Sequence, residues 1–393
     1  MTSIGLYVHV PFCLTKCGYC DFCSHVPQPG QPTRLVDALL RELRGSPAGE
    51  SPSVRVRTAF IGGGTPTTLP FQDATRLLRD IGAIVRRDGA TEFTVEANPA
   101  TLDSGLAELL FESGVNRLSV GVQSFVPAEL ACLGRKHTPR AVTETLATAR
   151  ACGLSRFNLD LIYGIPGQTL SSWRESIRQA VACDPEHISC YALSYEPGTP
   201  LEQARLLGRI VPCDESAEAA MYDLATDHLA EAGFEHYEIS NFAKPSARCE
   251  HNLGYWRNEP YLGIGPSACS YIDGRRSRTT PDTEDYIQRV AAGRTAVDES
   301  EQLNARESAG ETAMLALRLI EGLDICWFQT RTGFNPLHLF AQPIRQHLPA
   351  GRILVTPSHI RLSRAGLLIA DTIIADFLAA ASSRGLTDER TSG

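Results

Sequence analysis

Short apolar runs and longer segments of helical spacing alternate along the first half of the chain. Between the runs, apolar residues recur every three or four positions, as at Leu35, Leu39 and Leu43, the spacing of an amphipathic helix. Six runs have the composition of buried strands: Gly5–Val10, Thr58–Ile61, Glu92–Ala97, Arg117–Val122, Arg156–Ile162 and His187–Leu193. This alternation predicts repeated βαβ units around a parallel sheet, and so an α/β fold.

Right-handed connections between such strands leave two arrangements open, a barrel-like arc and a doubly wound sheet. In both, functional side chains lie at the carboxyl ends of the strands. Polar and cysteine residues fall at those ends: Cys13 after the first strand, Gly62–Pro66 after the second, Glu96 on the third, Gln123 after the fourth and Asp160 on the fifth. We therefore expect the site at this edge of the sheet.

The alternation stops after about Leu201, and the second half is irregular. Its patterns predict a helix over Ser216–Ala232, a strand over Phe234–Phe242, a helix over Asn304–Ile320, a β-ribbon over Arg352–Leu362 and a helix over Gly366–Ala380. Residues 248–274 are rich in glycine, asparagine and aromatics and have no clean period. We expect a barrel domain over 1–205, a connecting region over 206–280, a smaller C-terminal α+β domain over 281–381 and a disordered polar tail over 382–393.

Composition narrows the class of protein. The 37 basic and 45 acidic residues give a net charge of −8, which argues against a nucleic-acid-binding protein. No apolar run is long enough for a membrane span, and Met1–Val10 does not resemble an export signal. We therefore expect a cytoplasmic protein, in which the twelve cysteines do not form disulfides.

Three of these cysteines are spaced for metal chemistry. Cys13, Cys17 and Cys20 form C-x3-C-x2-C in one loop, and soft thiolates select iron–sulfur clusters, zinc or copper(I). Zinc would need a fourth ligand, whereas three thiolates on a [4Fe–4S] cluster leave one iron open. A zinc site and three buried structural cysteines are the alternatives.

This loop, with Tyr19 before the third cysteine, resembles the cluster loop of the radical SAM superfamily. The resemblance implies a [4Fe–4S] cluster on Cys13, Cys17 and Cys20, S-adenosylmethionine chelated at the open iron, and a partial (β/α)6 barrel. The six strand-like runs of the first half agree with such a barrel. Cys23 is one residue away from the fourth cysteine of the coproporphyrinogen III oxidases, where this chain has Phe22, so a plain thiol is the favoured interpretation of Cys23.

Further segments resemble the coproporphyrinogen oxidase-like branch of the superfamily: GVNRLSVGVQSF from Gly114, LGRKHT from Leu133 and NLDLIYGIPGQT from Asn158. In that branch, residues that contact one S-adenosylmethionine match Tyr7, Gly63 and Glu96. Those that contact a second molecule in the oxidase match Tyr19, Gly64, Thr65, Gln123, Arg135 and Asp160. Without the resemblance, the glycines would form a tight turn, and Arg135 and Asp160 an ion pair. Residues 360–378 resemble the branch's winged-helix-like terminal domain.

Two features favour the heme-chaperone members of the branch over the oxidase. Cys13 leaves no room for the oxidase's N-terminal extension, and residues 249–256, CEHNLGYW, resemble the H-N-x-x-Y-W motif associated with heme binding. Neutral imidazole is a good iron ligand, so His251 is the expected ligand. Tyr255 and Trp256 would pack on the macrocycle, and Asn252 would orient the imidazole or bond a propionate. Cys249 is an alternative ligand, and a hydrogen-bonded histidine beside a core tryptophan is the structural alternative.

The sequence thus predicts a heme chaperone that binds a [4Fe–4S] cluster, S-adenosylmethionine and heme. We expect it to deliver heme to apo-hemoproteins, respiratory ones in particular, to lack coproporphyrinogen oxidase activity, and to be a monomer or homodimer. Any association with a membrane would be through protein partners, since the acidic charge does not favour anionic lipid. The oxidase itself and a zinc-stabilised binding module are the competing predictions.

Overall fold

The computed structural model describes residues 2–51 and 53–382. The six predicted strands are all present, parallel and adjacent in chain order. They are β1 Thr2–Val10, β2 Val54–Gly63, β3 Glu92–Ala97, β4 Arg117–Gln123, β5 Phe157–Tyr163 and β6 His187–Ala192. This arrangement confirms the α/β fold and the partial (β/α)6 barrel. The predicted disordered tail lies outside the described residues except for Ser382.

The crossover helices cover the barrel strands with the apolar stripes seen in the sequence. Leu35, Leu39 and Leu43 are all buried in the main core, and polar residues cap several helices, as Asp103 does by accepting a hydrogen bond from the backbone N–H of Leu106 at 2.8 Å. The helices are α1 Gln31–Arg44, α2 Pro47–Glu50, α3 Phe71–Asp88, α4 Ser104–Glu112, α5 Pro127–Cys132, α6 Pro139–Ala151 and α7 Leu170–Ala182, with a 3-10 turn at Pro66–Thr68.

The middle of the chain extends the barrel sheet at both edges. It contains α8 Pro200–Leu206, α9 Glu215–Glu231, β7 Glu235–Glu238, β8 Asn241–Ala243, α10 Glu250–Trp256, β9 Tyr261–Ile264, β10 Cys269–Ile272, β11 Arg275–Thr279, α11 Thr283–Ala291 and β12 Val297–Gln302. The sheet order is β12-β11-β10-β9-β1-β2-β3-β4-β5-β6-β8-β7. The glycine-rich run after Tyr261 lies beside β1 as the parallel strand β9.

The prediction of one strand over residues 234–242 is wrong. This segment folds into the antiparallel pair β7–β8, with a turn at Ile239 and Ser240. The buried Glu238 carboxylate accepts a hydrogen bond from the backbone N–H of Ser240 at 3.0 Å, and a side-chain acceptor two residues before a donor stabilises a local turn. The apolar alternation therefore runs through a chain reversal that it does not reveal.

The C-terminal part has a second, separate hydrophobic core. Its elements are α12 Ala305–Ala316, β13 Leu323–Asp324, α13 Ile325–Thr332, α14 Pro336–Leu339, α15 Ala341–His347, β14 Ile353–Val355, β15 His359–Leu362, α16 Arg364–Leu367 and α17 Ala370–Ser382. The three strands form a small antiparallel sheet in the order β13-β15-β14, and Phe328, Phe340 and Phe377 fill the core. The ribbon is confirmed. The single helix predicted over Gly366–Ala380 is divided between α16 and α17, and the helix predicted to reach Ile320 ends at Ala316.

Arg364 of this C-terminal part donates hydrogen bonds to Asp223 and Asp227 of α9, a helix that packs in the main core. Helix α11 also packs in that main core, although it follows residue 280. The divisions at 205, 280 and 381 stay predictions. No helix of the described residues is long and apolar enough to cross a membrane.

Candidate functional site

The cysteine loop starts at the carboxyl end of β1 and is closed at its base. Cys13 donates its backbone N–H to His25 at 3.0 Å, and His25 donates in turn to Pro11 at 2.8 Å. At the tip, Gly18 donates to Leu133 at 3.2 Å and accepts from Leu201 at 2.8 Å. These backbone contacts tie the loop to the ends of α5 and α8 and fix it over the mouth of the barrel.

Polar donors lie beside the sulfur atoms of the three predicted ligands. Arg135 directs Nη1 to Cys17 Sγ at 3.5 Å. The Thr65 hydroxyl oxygen lies 3.7 Å from Cys13 Sγ, and the Ser24 hydroxyl oxygen lies 3.8 Å from Cys20 Sγ. All three thiols are free and partly exposed. Burial raises the pKa of Cys13 and Cys20, which opposes loss of the proton unless a cation binds. Thiol donors with hydrogen bonds to sulfur suit an iron–sulfur cluster.

A single zinc ion finds no support in this geometry. Among residues 2–51 and 53–382, no group of three histidine, cysteine, aspartate or glutamate side chains is placed to hold one metal ion. A closed zinc site needs four ligands around one point. A cluster binds each thiolate to a different iron, so its cysteines do not need to meet at one point.

The glycine turn after β2 is packed so tightly that side chains are excluded. A Cβ on Gly62 would lie 2.7 Å from the Glu96 carboxylate, and one on Gly64 would lie 2.6 Å from the Phe12 carbonyl. Gly63 has a φ of +103°, which only glycine adopts readily. Its backbone N–H donates to Glu96 Oε2 at 3.0 Å, so the turn and the carboxylate are built as one unit.

Glu96 is partly buried inside the barrel, and its pKa is strongly shifted. Burial, and then the nearby Asp160, raise its pKa to about 8. A cation beside Glu96 would reverse this shift, which suits the ammonium of a methionyl group. Tyr7 lies near the same carboxylate, and its hydroxyl is 2.9 Å from His9 Nδ1. The structure therefore brings together the three residues of the first predicted S-adenosylmethionine site, namely Tyr7, Gly63 and Glu96.

Asp160 belongs to a polar network on the inner face of β4, β5 and β6. Its carboxylate accepts hydrogen bonds from Ser119 Oγ at 3.2 Å and from Asn158 Nδ2 at 2.8 Å. Burial raises its pKa. The predicted alternative of an ion pair with Arg135 does not form. Arg135 instead donates to Cys17, to the Gly121 carbonyl and to Asn98 Oδ1, the last at 2.6 Å.

Of the six residues assigned to a second S-adenosylmethionine, Gly64 lies in the glycine turn against Phe12, and the other five divide into two groups. Tyr19, Gln123 and Asp160 line a cavity of about 490 Å3. Thr65 and Arg135 lie beside it in the hydrogen-bond chain Thr65–Asn98–Arg135, which reaches Cys13 and Cys17. Gln123 has a φ of +66° at a register shift between β4 and β5, a conformation that costs on the order of 1–3 kcal/mol and is concentrated at functional sites.

His251 is buried, and both of its ring nitrogens are engaged. Nδ1 lies 2.9 Å from Thr58 Oγ1, and Nε2 lies 2.9 Å from the Tyr255 hydroxyl. Burial lowers its pKa to about 4, so the imidazole is neutral near pH 7. This geometry is that of a hydrogen-bonded structural histidine, the alternative to a heme ligand. Iron could reach Nε2 only after the Tyr255 hydroxyl moves away. The assignment of His251 as heme ligand stays a prediction.

The other residues of the motif line two cavities on either side of His251. Asn252 and Cys249 line the cavity of about 490 Å3. Tyr255 and Trp256 line a larger cavity of about 600 Å3, which also includes Tyr7, Gly63 and Glu96. The two cavities share Asp21, Phe22 and Glu96. Helix α10 thus stands between the two spaces with predicted ligand-binding residues on both.

A buried ion pair holds α10 in place, and sequence reasoning missed it. Arg117 Nε donates to Glu92 Oε2 at 3.1 Å, and both side chains are almost fully enclosed. The Glu92 carboxylate also accepts the backbone N–H groups of Glu250 and His251, each at 3.1 Å, and the Cys249 thiol at 3.2 Å. The signal for this pair in the sequence was the opposite charges at the first positions of the adjacent strands β3 and β4. Cys249 is thereby a hydrogen-bond donor to Glu92.

The barrel, the cysteine loop and the glycine turn define a class of protein. The sequence model of the radical SAM superfamily matches residues 7–180. The fold is similar to that of coproporphyrinogen III oxidase from Escherichia coli, a radical SAM enzyme, with a TM-score of 0.82 over 96% of this chain and 90% of that chain at 23% identity. Residues 7–180 of this chain therefore form a radical SAM domain.

Curated relatives identify the family within this class. The heme chaperone HemW of Bacillus subtilis is 34% identical over 373 residues, which cover 95% of this chain and 98% of that protein. Heme chaperone HemW of Escherichia coli is 33% identical over 385 residues, 96% of this chain and 99% of that protein. The chain belongs to the HemW family, which confirms the family predicted from the motifs.

Proposed function

We propose that this protein binds heme and delivers it to apo-hemoproteins, and that a [4Fe–4S] cluster and S-adenosylmethionine bind at the neighbouring site. The similarity to heme chaperones over nearly the whole chain supports this proposal. The observation that carries it is the placement of Tyr255 and Trp256 on the cavity of about 600 Å3 that also reaches Glu96 and Gly63. A cavity of this size that is lined by both aromatic and polar side chains is typical of a cofactor site.

Cys13, Cys17 and Cys20 would hold the cluster, and Tyr7, Gly63 and Glu96 would hold the S-adenosylmethionine beside it. When bound, the cluster would supply an electron and one open iron. The chain's own part is to direct Arg135 Nη1 to Cys17, to offer the Glu96 carboxylate to an ammonium group, and to close the loop over the barrel through Gly18.

We further propose that respiratory hemoproteins receive the heme. The net charge of −8 gives little attraction to anionic lipid, so we expect membrane-bound recipients to be reached through protein contacts.

A transfer experiment tests the proposed function. The anaerobically reconstituted protein is loaded with hemin, freed of excess hemin and mixed with an apo-hemoprotein that acquires a distinct absorption spectrum on loading. We expect transfer from the loaded protein that is faster than from hemin bound to an unrelated carrier at equal concentration. Failure to bind hemin, or hemin that stays bound in the presence of acceptor, would contradict the proposal.

A second candidate, the oxidase reaction, has one observation in its favour. Tyr19, Gln123 and Asp160, which match contacts of a second S-adenosylmethionine in the oxidase, line one cavity. Anaerobic incubation with coproporphyrinogen III, S-adenosylmethionine and a reductant decides between the candidates. Decarboxylated product at appreciable turnover would establish the oxidase.

A further inference from the structure

The larger cavity, of about 600 Å3, has positively charged residues on one side, and these residues do not belong to the motif at 249–256. Arg276 and Arg278, two residues apart on β11, both line it. Side chains two positions apart on a strand point to the same face, so β11 presents two guanidinium groups to one space. Tyr261 lies on the adjoining wall, and its hydroxyl accepts a hydrogen bond from Arg276. The ring centroids of Tyr261 and Tyr255 lie 4.7 Å apart.

The two arginines differ in how their charges are balanced. Arg276 is paired with Glu311 at 2.7 Å and bonded to the Tyr261 hydroxyl at 2.6 Å. Arg278 donates only to the neutral hydroxyl of Ser267, at 2.8 and 3.3 Å. Among the ion pairs of residues 2–51 and 53–382 there is none for Arg278. An unbalanced guanidinium on a cavity wall favours a carboxylate ligand.

The acidic residues that line this cavity are shared with the neighbouring one. Asp21 and Glu96 line both cavities, so they are at the boundary between the two spaces, whereas the arginines line only the larger one. Trp256 also lines this cavity, and its buried indole N–H has no hydrogen-bond partner. A ligand with an aromatic body and carboxylates at one edge matches this division.

We propose that Arg278 binds a propionate carboxylate of the porphyrin, with the macrocycle against Tyr255 and Trp256 in the larger cavity. This inference rests on the proposed heme-binding function and adds the group that recognises the acidic edge of the ligand. The carboxylate would accept hydrogen bonds from the Arg278 guanidinium. S-adenosylmethionine also carries a carboxylate, so the test must separate the two ligands.

The test compares Arg278→Gln with Arg275→Gln in the reconstituted full-length protein. Arg275 is the matched control, since it is exposed on the same strand, does not line the cavity and donates to a serine hydroxyl, Ser300, at 2.8 Å. The probes are hemin, iron-free protoporphyrin IX, hemin dimethyl ester and S-adenosylmethionine. Protoporphyrin IX carries the two carboxylates without the iron. Hemin dimethyl ester carries the iron, but its carboxylates are esterified and have no charge.

We expect Arg278→Gln to weaken hemin and protoporphyrin binding about tenfold, the usual effect of one charge-assisted hydrogen bond. Binding of the ester and of S-adenosylmethionine should stay at the wild-type level, as should all binding to Arg275→Gln. Unchanged hemin affinity in Arg278→Gln, or weakened S-adenosylmethionine binding alone, would overturn the inference while leaving the proposed function intact. A wild-type protein that binds no porphyrin would overturn both.

Discussion

The environment of the Glu96 carboxylate favours the binding of a cationic ligand. Its carboxylate accepts one backbone hydrogen bond, from Gly63, and lies near Asp160, so its charged form is disfavoured in the ligand-free protein. A buried carboxylate is costly unless it is paired. A cationic ligand at this position removes the cost.

This environment predicts a pH-dependent stability. The pKa of Glu96 is raised to about 8, so its contribution to the free energy of unfolding is fully present below the ordinary pKa of a glutamate and is lost as the pH rises through about 8. Denaturant unfolding of the ligand-free protein should show this loss between about pH 5 and pH 8, and Glu96→Gln should show a smaller loss. Equal pH dependence in both proteins would contradict the assignment.

Cys17 and Cys23 offer a matched pair for the cluster. Both are partly buried in the same loop, but Cys23 lines the larger cavity and donates to the Pro281 carbonyl at 3.2 Å. We expect Cys17→Ala to lose most of the iron and sulfide after anaerobic reconstitution, and Cys23→Ala to keep the wild-type content. Loss of iron in Cys23→Ala alone would show that the ligand set is misassigned.

His251 and Tyr255 can be separated in a hemin titration. If His251 binds the iron, removal of the Tyr255 hydroxyl frees Nε2, so Tyr255→Phe should bind hemin at least as tightly as the wild type, and His251→Ala should lose the histidine-ligated spectrum. Both Thr58 and Tyr255 lose a partner in His251→Ala, at a cost of about 1–3 kcal/mol in stability for each buried group left unsatisfied. An unchanged spectrum in a folded His251→Ala protein would exclude His251 as ligand.

At the scale of elements, the short helix α10 depends on charges that come from elsewhere in the chain. Seven residues are too few for a helix to be stable alone. The Glu92–Arg117 pair fixes it instead, since Glu92 accepts the first N–H groups of α10 and Arg117 Nη2 donates to the carbonyls of Ala247 and Arg248 at 2.9 and 3.1 Å. The position of the motif is therefore set by β3 and β4.

Breaking this pair should destabilise the protein strongly. Glu92→Gln leaves Arg117 buried without its counter-charge, which typically costs roughly 3–5 kcal/mol in the free energy of unfolding. Replacing both residues with methionine should recover part of the loss, because no unpaired charge remains. Glu175→Gln, which breaks an exposed pair on α7, serves as control and should leave the denaturation midpoint unchanged. A midpoint as high in Glu92→Gln as in the control would contradict this role.

The barrel strands were predictable because each is a short β-rich run between helices of regular period. The strands β9 to β12 were not, since residues 248–274 have no clean apolar period, β12 is exposed along its length, and β9 pairs with the distant strand β1. The place of β9 beside β1 is set by tertiary contacts such as the Gly5 N–H donating to the Pro260 carbonyl at 3.0 Å. Sequence reasoning therefore missed the cationic side of the larger cavity.

At the scale of the whole molecule, the barrel's carboxyl-terminal edge gathers residues from distant parts of the chain. The cluster loop, the glycine turn and Glu96 were predictable there, because motif spacing and strand order place them at one edge. The enclosed state of His251 was not, since it depends on Thr58 and Tyr255 at its two nitrogens. The partners of the two ring nitrogens are set by the folded molecule. The residue type alone is compatible with a heme ligand and with a hydrogen-bonded structural histidine.

We propose that this molecule binds heme beside a cluster site and does not decarboxylate coproporphyrinogen III. The most direct measurement is anaerobic reconstitution followed by hemin titration and a decarboxylation assay on the same preparation. We predict about four iron atoms per chain, saturable hemin binding and no decarboxylated product. A preparation with a full cluster that decarboxylates the substrate and binds no hemin would contradict the claim.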